Sequence, residues 1–120
     1  KGVLGEWPAL DLVLLGMGAD THTASLFPGS PAISEQSRFA VSNYVDKLAA
    51  TRLTLTYPVL SLARETVIMA MGSDKAQAVR EALCTEPDAS LRPVQGIRPK
   101  QGRLIWVLDR ESAALLPEMT

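Results

Sequence analysis

Apolar residues in this chain fall into short clusters separated by stretches of helical or turn character. Residues 10–15 are apolar on both faces apart from Asp11, the pattern of a strand buried on both sides. Gly16-Met17-Gly18 ends that run. Residues 20–26 are small, polar and compatible with a helix, and Pro28-Gly29-Ser30-Pro31 is a strong break after them. Residues 38–45 have strand character. Over residues 52–57, Leu53, Leu55 and Tyr57 alternate with Arg52, Thr54 and Thr56, which predicts a strand with one apolar and one polar face. Pro58 then sits where a helix can begin, and residues 59–64 would form that short helix.

Residues 66–71 read as a second buried strand, ended by Gly72. Residues 73–84 are the clearest helix: Ala76, Val79 and Leu83 fall at i, i+3 and i+7, and Asp74 and Gln77 are spaced for a capping box. Residues 86–102, rich in proline, glycine and polar side chains, predict a long loop. Residues 104–108 form a third apolar strand. Asp109 is placed to cap a last helix running to Leu116 and stopped by Pro117. Strands alternating with helices predict an α/β fold, a mostly parallel sheet with flanking helices in three layers. In such sheets ligands bind beyond the carboxyl ends of the strands. That rule directs attention to the loops after Leu15 and after Met71.

Composition narrows the function classes. The chain has 120 residues, the size of one ordinary domain, and 47% of them are hydrophobic, too many for a disordered chain. Lys and Arg total 12 against 13 Asp and Glu, so nucleic acid and anionic membranes are not expected partners. The single Cys84 excludes an internal disulfide and a multi-cysteine zinc site; a disulfide-free chain suits the cytoplasm. Trp7 and Trp106 are expected in packing roles, and Cys84 at a core or boundary position. No apolar run approaches the roughly 18 residues of a membrane span. The chain starts without Met and a strand begins by Leu10, so further polypeptide upstream is expected.

The first loop holds the chain's one histidine, His22, among small and polar residues with Gly16 and Gly18 before it. Imidazole is the side chain best suited to accept a proton near neutral pH. A satisfied structural histidine fits the same spacing. Known motifs do not match. Gly16-x-Gly18 lacks the third glycine of a dinucleotide fingerprint, there is no Gly-Lys-Ser/Thr phosphate loop, and Ser25 is not in a Gly-x-Ser-x-Gly elbow. One histidine with scattered carboxylates is a poor metal-ligand set, so no metal is expected. Lys75 lies in the first turn of the predicted helix, where it opposes the helix dipole unless an anion sits there. Arg52 opens a strand and either grips a phosphate or carboxylate or is a solvated edge charge or salt-bridge partner.

Four ordered blocks together carry a resemblance. Residues 11–29 (Asp-Leu-Val-Leu-Leu-Gly-Met-Gly-Ala-Asp-Thr-His-Thr-Ala-Ser-Leu-Phe-Pro-Gly), residues 52–60, Gly72-Ser-Asp-Lys-Ala76 and residues 104–109 resemble the 6-phosphogluconolactonases, over roughly residues 9–116. The related glucosamine-6-phosphate deaminases share the fold and a histidine loop. Thr23-Ala-Ser-Leu-Phe-Pro28 looks like the lactonase version, which leaves the deaminase as the runner-up. The resemblance implies hydrolysis of 6-phosphogluconolactone in the oxidative pentose phosphate pathway, with a phosphorylated sugar lactone as partner and no cofactor. It implies His22 as general base and Arg52 and Lys75 as phosphate contacts, with Gly16, Gly18 and Asp20 completing the candidate substrate-binding set.

Two positions depart from the family pattern. Thr21 stands where glycine commonly precedes the histidine, and Ser61 where asparagine commonly follows the second block. Threonine is β-branched and resists positive φ, so an adjusted loop is expected. Family members are also considerably longer and carry a Gly-rich phosphate loop in an N-terminal half that has no counterpart here. Residues 1–120 therefore read as the C-terminal half of a single, incomplete domain, whose expected partner is the missing N-terminal half. A non-catalytic phosphosugar-binding fragment is the third reading.

Overall fold

The computed structural model describes residues 7–117. It contains strands β1 (Leu12–Gly16), β2 (Ala40–Val45), β3 (Ala50–Leu55), β4 (Glu65–Ala70) and β5 (Arg103–Leu108), and helices α1 (Tyr57–Ser61) and α2 (Ala76–Cys84). Strands β1, β4 and β5 form a parallel sheet in the order β1-β4-β5, and β2 and β3 form a separate antiparallel hairpin. The chain is thus α/β, with its helices and turns on the connections between parallel strands. The register aligns Val13, Thr66 and Leu104 across the sheet, and Leu15, Ile68 and Trp106 one step further on.

Because successive side chains in a strand point to opposite faces, those two rows lie on one side of the sheet. That side carries the core. Val13 packs with Leu26, Ala32, Val41, Tyr57, Leu60, Ala63 and Ile97, and Ile68 and Ala70 pack with Met17, Ala78, Val79 and Val94. Trp106 joins the second cluster, and Trp7 meets Phe39 with ring centroids 4.9 Å apart, so both tryptophans pack as expected. A buried hydroxyl ties the first cluster to the long loop: Tyr57 Oη donates to the Pro93 carbonyl at 2.5 Å. Burial pushes the Tyr57 phenol well above its usual range.

The opposite side of the sheet is bare among the described residues. Leu14, Val67 and Ile105 form one row across it, and Met69 and Val107 continue it. Leu14 is 58% exposed, and Leu12, Met69, Ile105 and Val107 are also exposed. Parallel sheets are normally covered on both faces, and this one is covered on one.

Strand β3 carries the alternation expected over residues 52–57 as far as Leu55, and Tyr57 already belongs to α1. The strand exists, but its polar side is the buried one: Thr54 and Thr56 are buried while Leu53 is 80% exposed. The reason is hydrogen bonding. Thr54 Oγ1 accepts from the Ser25 amide at 3.1 Å, and Thr56 Oγ1 donates to the Arg38 carbonyl at 2.7 Å.

Three local expectations also change. Residues 20–26 form turns with a Thr23–Leu26 bridge rather than a helix, because Thr21 and Ala24 take positive φ (68° and 52°). Over residues 109–117 the chain makes turns rather than the expected helix, with Asp109 Oδ1 accepting from the Ser112 amide at 2.8 Å as a cap would. Helix α2 is entered through a tight turn at Ser73–Lys75 without a side-chain cap, so the Asp74–Gln77 box does not form. Cys84, expected at a core or boundary position, is exposed at the end of α2.

Candidate active site

The carboxyl ends of β1 and β4 lie side by side, with Gly16 opposite Met69 in the register. The loops that leave them therefore meet. Lys75, half-buried at the start of α2, donates from Nζ to the Met17 carbonyl at 2.7 Å and so bridges the two loops. Around this bridge is an open hollow of about 440 Å³ lined by Leu14, Leu15, Gly16, Met17, Gly18, His22, Ala24 and Lys75. The histidine and the lysine, 53 residues apart in the chain, both line it.

The histidine loop is tightly pinned. The Gly18 amide donates to the His22 carbonyl at 2.9 Å, and the Thr21 amide to the Gly18 carbonyl at 2.9 Å. Thr23 Oγ1 donates to the Gly16 carbonyl at 2.8 Å, and the Val94 amide to the Thr21 carbonyl at 3.0 Å. These bonds hold Thr21 in the left-handed region that a β-branched residue avoids. Such backbone strain costs on the order of 1–2 kcal/mol and persists only where the surroundings over-determine it. The threonine thus keeps the positive φ that glycine adopts at little cost.

Asp20 orients the imidazole. Its Oδ1 lies 2.5 Å from His22 Nδ1 and accepts from the His22 amide at 3.0 Å. An ionised carboxylate only accepts, so Nδ1 carries the proton, and in the neutral ring the lone pair is then on Nε2. The imidazole also stacks on Phe27, with centroids 4.2 Å apart and planes 20° from parallel. Gly18 closes the third side: a methyl group there would lie 2.2 Å from both Cε1 and Nδ1 of His22. Sequence reasoning noted that Asp20 is near His22 but had no signal for the contact, and it missed Phe27. An aromatic five residues beyond the histidine across a turn leaves no periodic trace.

The remaining candidates separate. Gly16 lines the hollow and receives Thr23, but a side chain there would meet nothing within 4 Å, so close approach does not require glycine at that position. Arg52 is exposed on β3, opposite Asn43, and does not line the hollow. It shares a strand face with Thr54, and Asn43 Nδ2 donates to the Ser25 carbonyl at 2.8 Å, so the hairpin carrying Arg52 is clamped to the histidine loop. Ser61 accepts from the Arg98 amide at 3.3 Å and lies outside the hollow. Among the described residues no cluster of three His, Cys, Asp or Glu side chains is arranged to hold a metal ion, and no helix is long and apolar enough to cross a membrane.

Residues 1–106 match the family model described as glucosamine-6-phosphate isomerases/6-phosphogluconolactonase. A 6-phosphogluconolactonase from Synechocystis is 42% identical over 108 residues, covering 90% of this chain and 44% of the relative. The rat 6-phosphogluconolactonase is 39% identical over 110 residues, 91% of this chain and 42% of the relative. The solved 6-phosphogluconolactonase of Leishmania guyanensis superposes with a TM-score of 0.80 at 30% identity, over 98% of this chain and 47% of its own. A monomeric glucosamine-6-phosphate deaminase shares the fold at 22% identity and a TM-score of 0.67, over 88% of this chain and 47% of its own. The chain spans less than half the length of these relatives.

Proposed function

The chain belongs to the glucosamine-6-phosphate isomerase/6-phosphogluconolactonase family, and from that premise we propose that the protein carrying it hydrolyses 6-phosphogluconolactone to 6-phosphogluconate, with His22 as general base. The observation that carries the reading is the Asp20–His22 pair, 2.5 Å apart, beside Lys75 at the carboxyl ends of two parallel strands.

In this reading His22 Nε2 takes a proton from water as the water oxygen attacks the lactone carbonyl carbon. The carbonyl π electrons move to oxygen, and the developing oxyanion is met by hydrogen-bond donors of the site. Collapse breaks the bond from the carbonyl carbon to the ring oxygen. The imidazolium returns its proton to that departing oxygen, giving the open-chain acid. A lactone is an activated ester, so the route needs neither metal nor organic cofactor. Lys75 is held through one of its three N–H groups, which leaves two for substrate phosphate. Arg52, on the clamped hairpin, is assigned a second phosphate contact, Gly16 and Gly18 shape the floor beneath the sugar, and Asp20 acts through His22.

Residues 1–120 are assigned to the C-terminal half of a single domain. The relatives' greater length and the bare row Leu14, Val67 and Ile105 support this. The N-terminal half is then the partner that covers the face. The test is to measure lactonase activity and association state of the chain alone and with the polypeptide matching the remaining half of the Synechocystis relative. Self-association of the chain alone, relieved by a one-to-one complex that gains activity, is expected. A monomeric chain with full activity by itself overturns the half-domain reading. Ammonia release from an amino-sugar phosphate without lactone hydrolysis moves the assignment to the isomerase branch, and a folded complex inert in both assays leaves a binding module.

A further inference from the structure

Phe27 is buried, yet it belongs to neither core cluster; the ring it stacks on is His22. Asp20 restrains one atom of the imidazole, Nδ1. A single hydrogen bond leaves the ring free to rock about that atom. Gly18 bounds the ring along its Cε1–Nδ1 edge, since even a methyl group there would collide. Neither contact fixes the plane of the ring. The Phe27 face does, at a centroid distance of 4.2 Å and 20° from parallel. The backbone that carries Phe27 is itself pinned: the Leu26 amide donates to the Thr23 carbonyl at 2.9 Å, and the Phe27 carbonyl accepts from the Ser30 amide at 3.0 Å.

We propose that Phe27 is a positioning residue that sets the plane of the His22 ring and thereby the direction of Nε2. The proposal rests on the reading of His22 as the general base. It has a chemical consequence beyond geometry. When His22 takes the water proton it becomes a cation lying over an aromatic face, an arrangement that stabilises the charge. The π face is therefore useful in the proton-bearing state and not merely as filler.

The experiment compares wild type, Phe27→Leu, Phe27→Tyr and His22→Gln, each with the sequence that naturally flanks this chain. Lactone hydrolysis is resolved into kcat and KM, and the His22 ring protons are recorded by NMR. Wild type is expected to show His22 ring protons upfield of those of a solvent-exposed histidine, from the ring current of Phe27. Phe27→Leu is expected to abolish that displacement and lower kcat about 10-fold, with KM changed less than about 2-fold. Phe27→Tyr keeps the aromatic face and is expected to restore both. A wild-type spectrum without the displacement overturns the proposal even if Phe27→Leu fails to fold. Unchanged kcat in Phe27→Leu, with His22→Gln inactive, overturns the role of Phe27 alone. Full activity in His22→Gln removes the general base and the role of Phe27 with it.

Discussion

Replacing Gly18 by alanine perturbs the site at one atom. The new methyl group would lie 2.2 Å from Cε1 and Nδ1 of His22 and 2.9 Å from Asp20 Oδ1. Ordinary contact begins near 3.4 Å, so the imidazole must withdraw by roughly 1.2 Å or swing away. Either movement breaks the 2.5 Å contact between Nδ1 and Asp20. The backbone is not the obstacle, because Gly18 is not among the residues with positive φ. A displacement of about 1 Å at a reacting group costs on the order of 100-fold in rate, roughly 2.7 kcal/mol of barrier. The expected result for Gly18→Ala is a fall of about that size in kcat/KM for lactone hydrolysis, with a thermal unfolding midpoint within a few degrees of wild type. Undiminished activity in a folded Gly18→Ala protein would refute the claim that the imidazole is held where the structure has it. Activity lost only in step with unfolding would refute it as well.

Other substitutions test the fold that carries the site. Tyr57→Phe strands the buried Pro93 carbonyl that Tyr57 Oη serves at 2.5 Å, and should destabilise by about 1–3 kcal/mol in a denaturant titration. The raised Tyr57 pKa means that the fold favours the neutral phenol, a contribution present below pH 10 and lost as pH rises above it; Tyr57→Phe should flatten that alkaline limb. Thr66 Oγ1 is buried in the sheet without a hydrogen-bond partner, so Thr66→Val should raise stability by about 1–2 kcal/mol in the same titration. The Asp109 carboxylate accepts from the Ser112 and Gly72 amides, which hold its pKa below the usual range. That contribution is present above about pH 4 and lost as pH falls through the depressed value, so Asp109→Asn should reduce the acid sensitivity of the unfolding midpoint.

Much of the fold was legible because it follows from local pattern. The runs that became β1, β4 and β5 carry apolar side chains on both faces, and Gly16 and Gly72 mark the ends of the first two. The rule that ligands bind beyond parallel strands directed attention to the two loops that Lys75 bridges. What escaped was set by contacts distant in sequence. The alternation over residues 52–57 marks two strand faces but not which one is buried: Thr54 holds the histidine loop 29 residues away and Thr56 holds the Arg38 carbonyl. The turn at residues 20–26 depends on positive φ at Thr21 and Ala24, which those residue types do not advertise. The Asp20–His22 contact needs that turn, and so was visible only as proximity along the chain. Arg52 was grouped with Lys75 through resemblance, whereas the structure sets it on the neighbouring hairpin.

The proposed function stands or falls on His22, oriented by Asp20, as the base that activates water. The most direct measurement is kcat for lactone hydrolysis by His22→Gln, corrected for spontaneous hydrolysis, in a protein shown by circular dichroism to be folded. A fall of about 100- to 10,000-fold with KM little changed is expected. Turnover equal to wild type would contradict it.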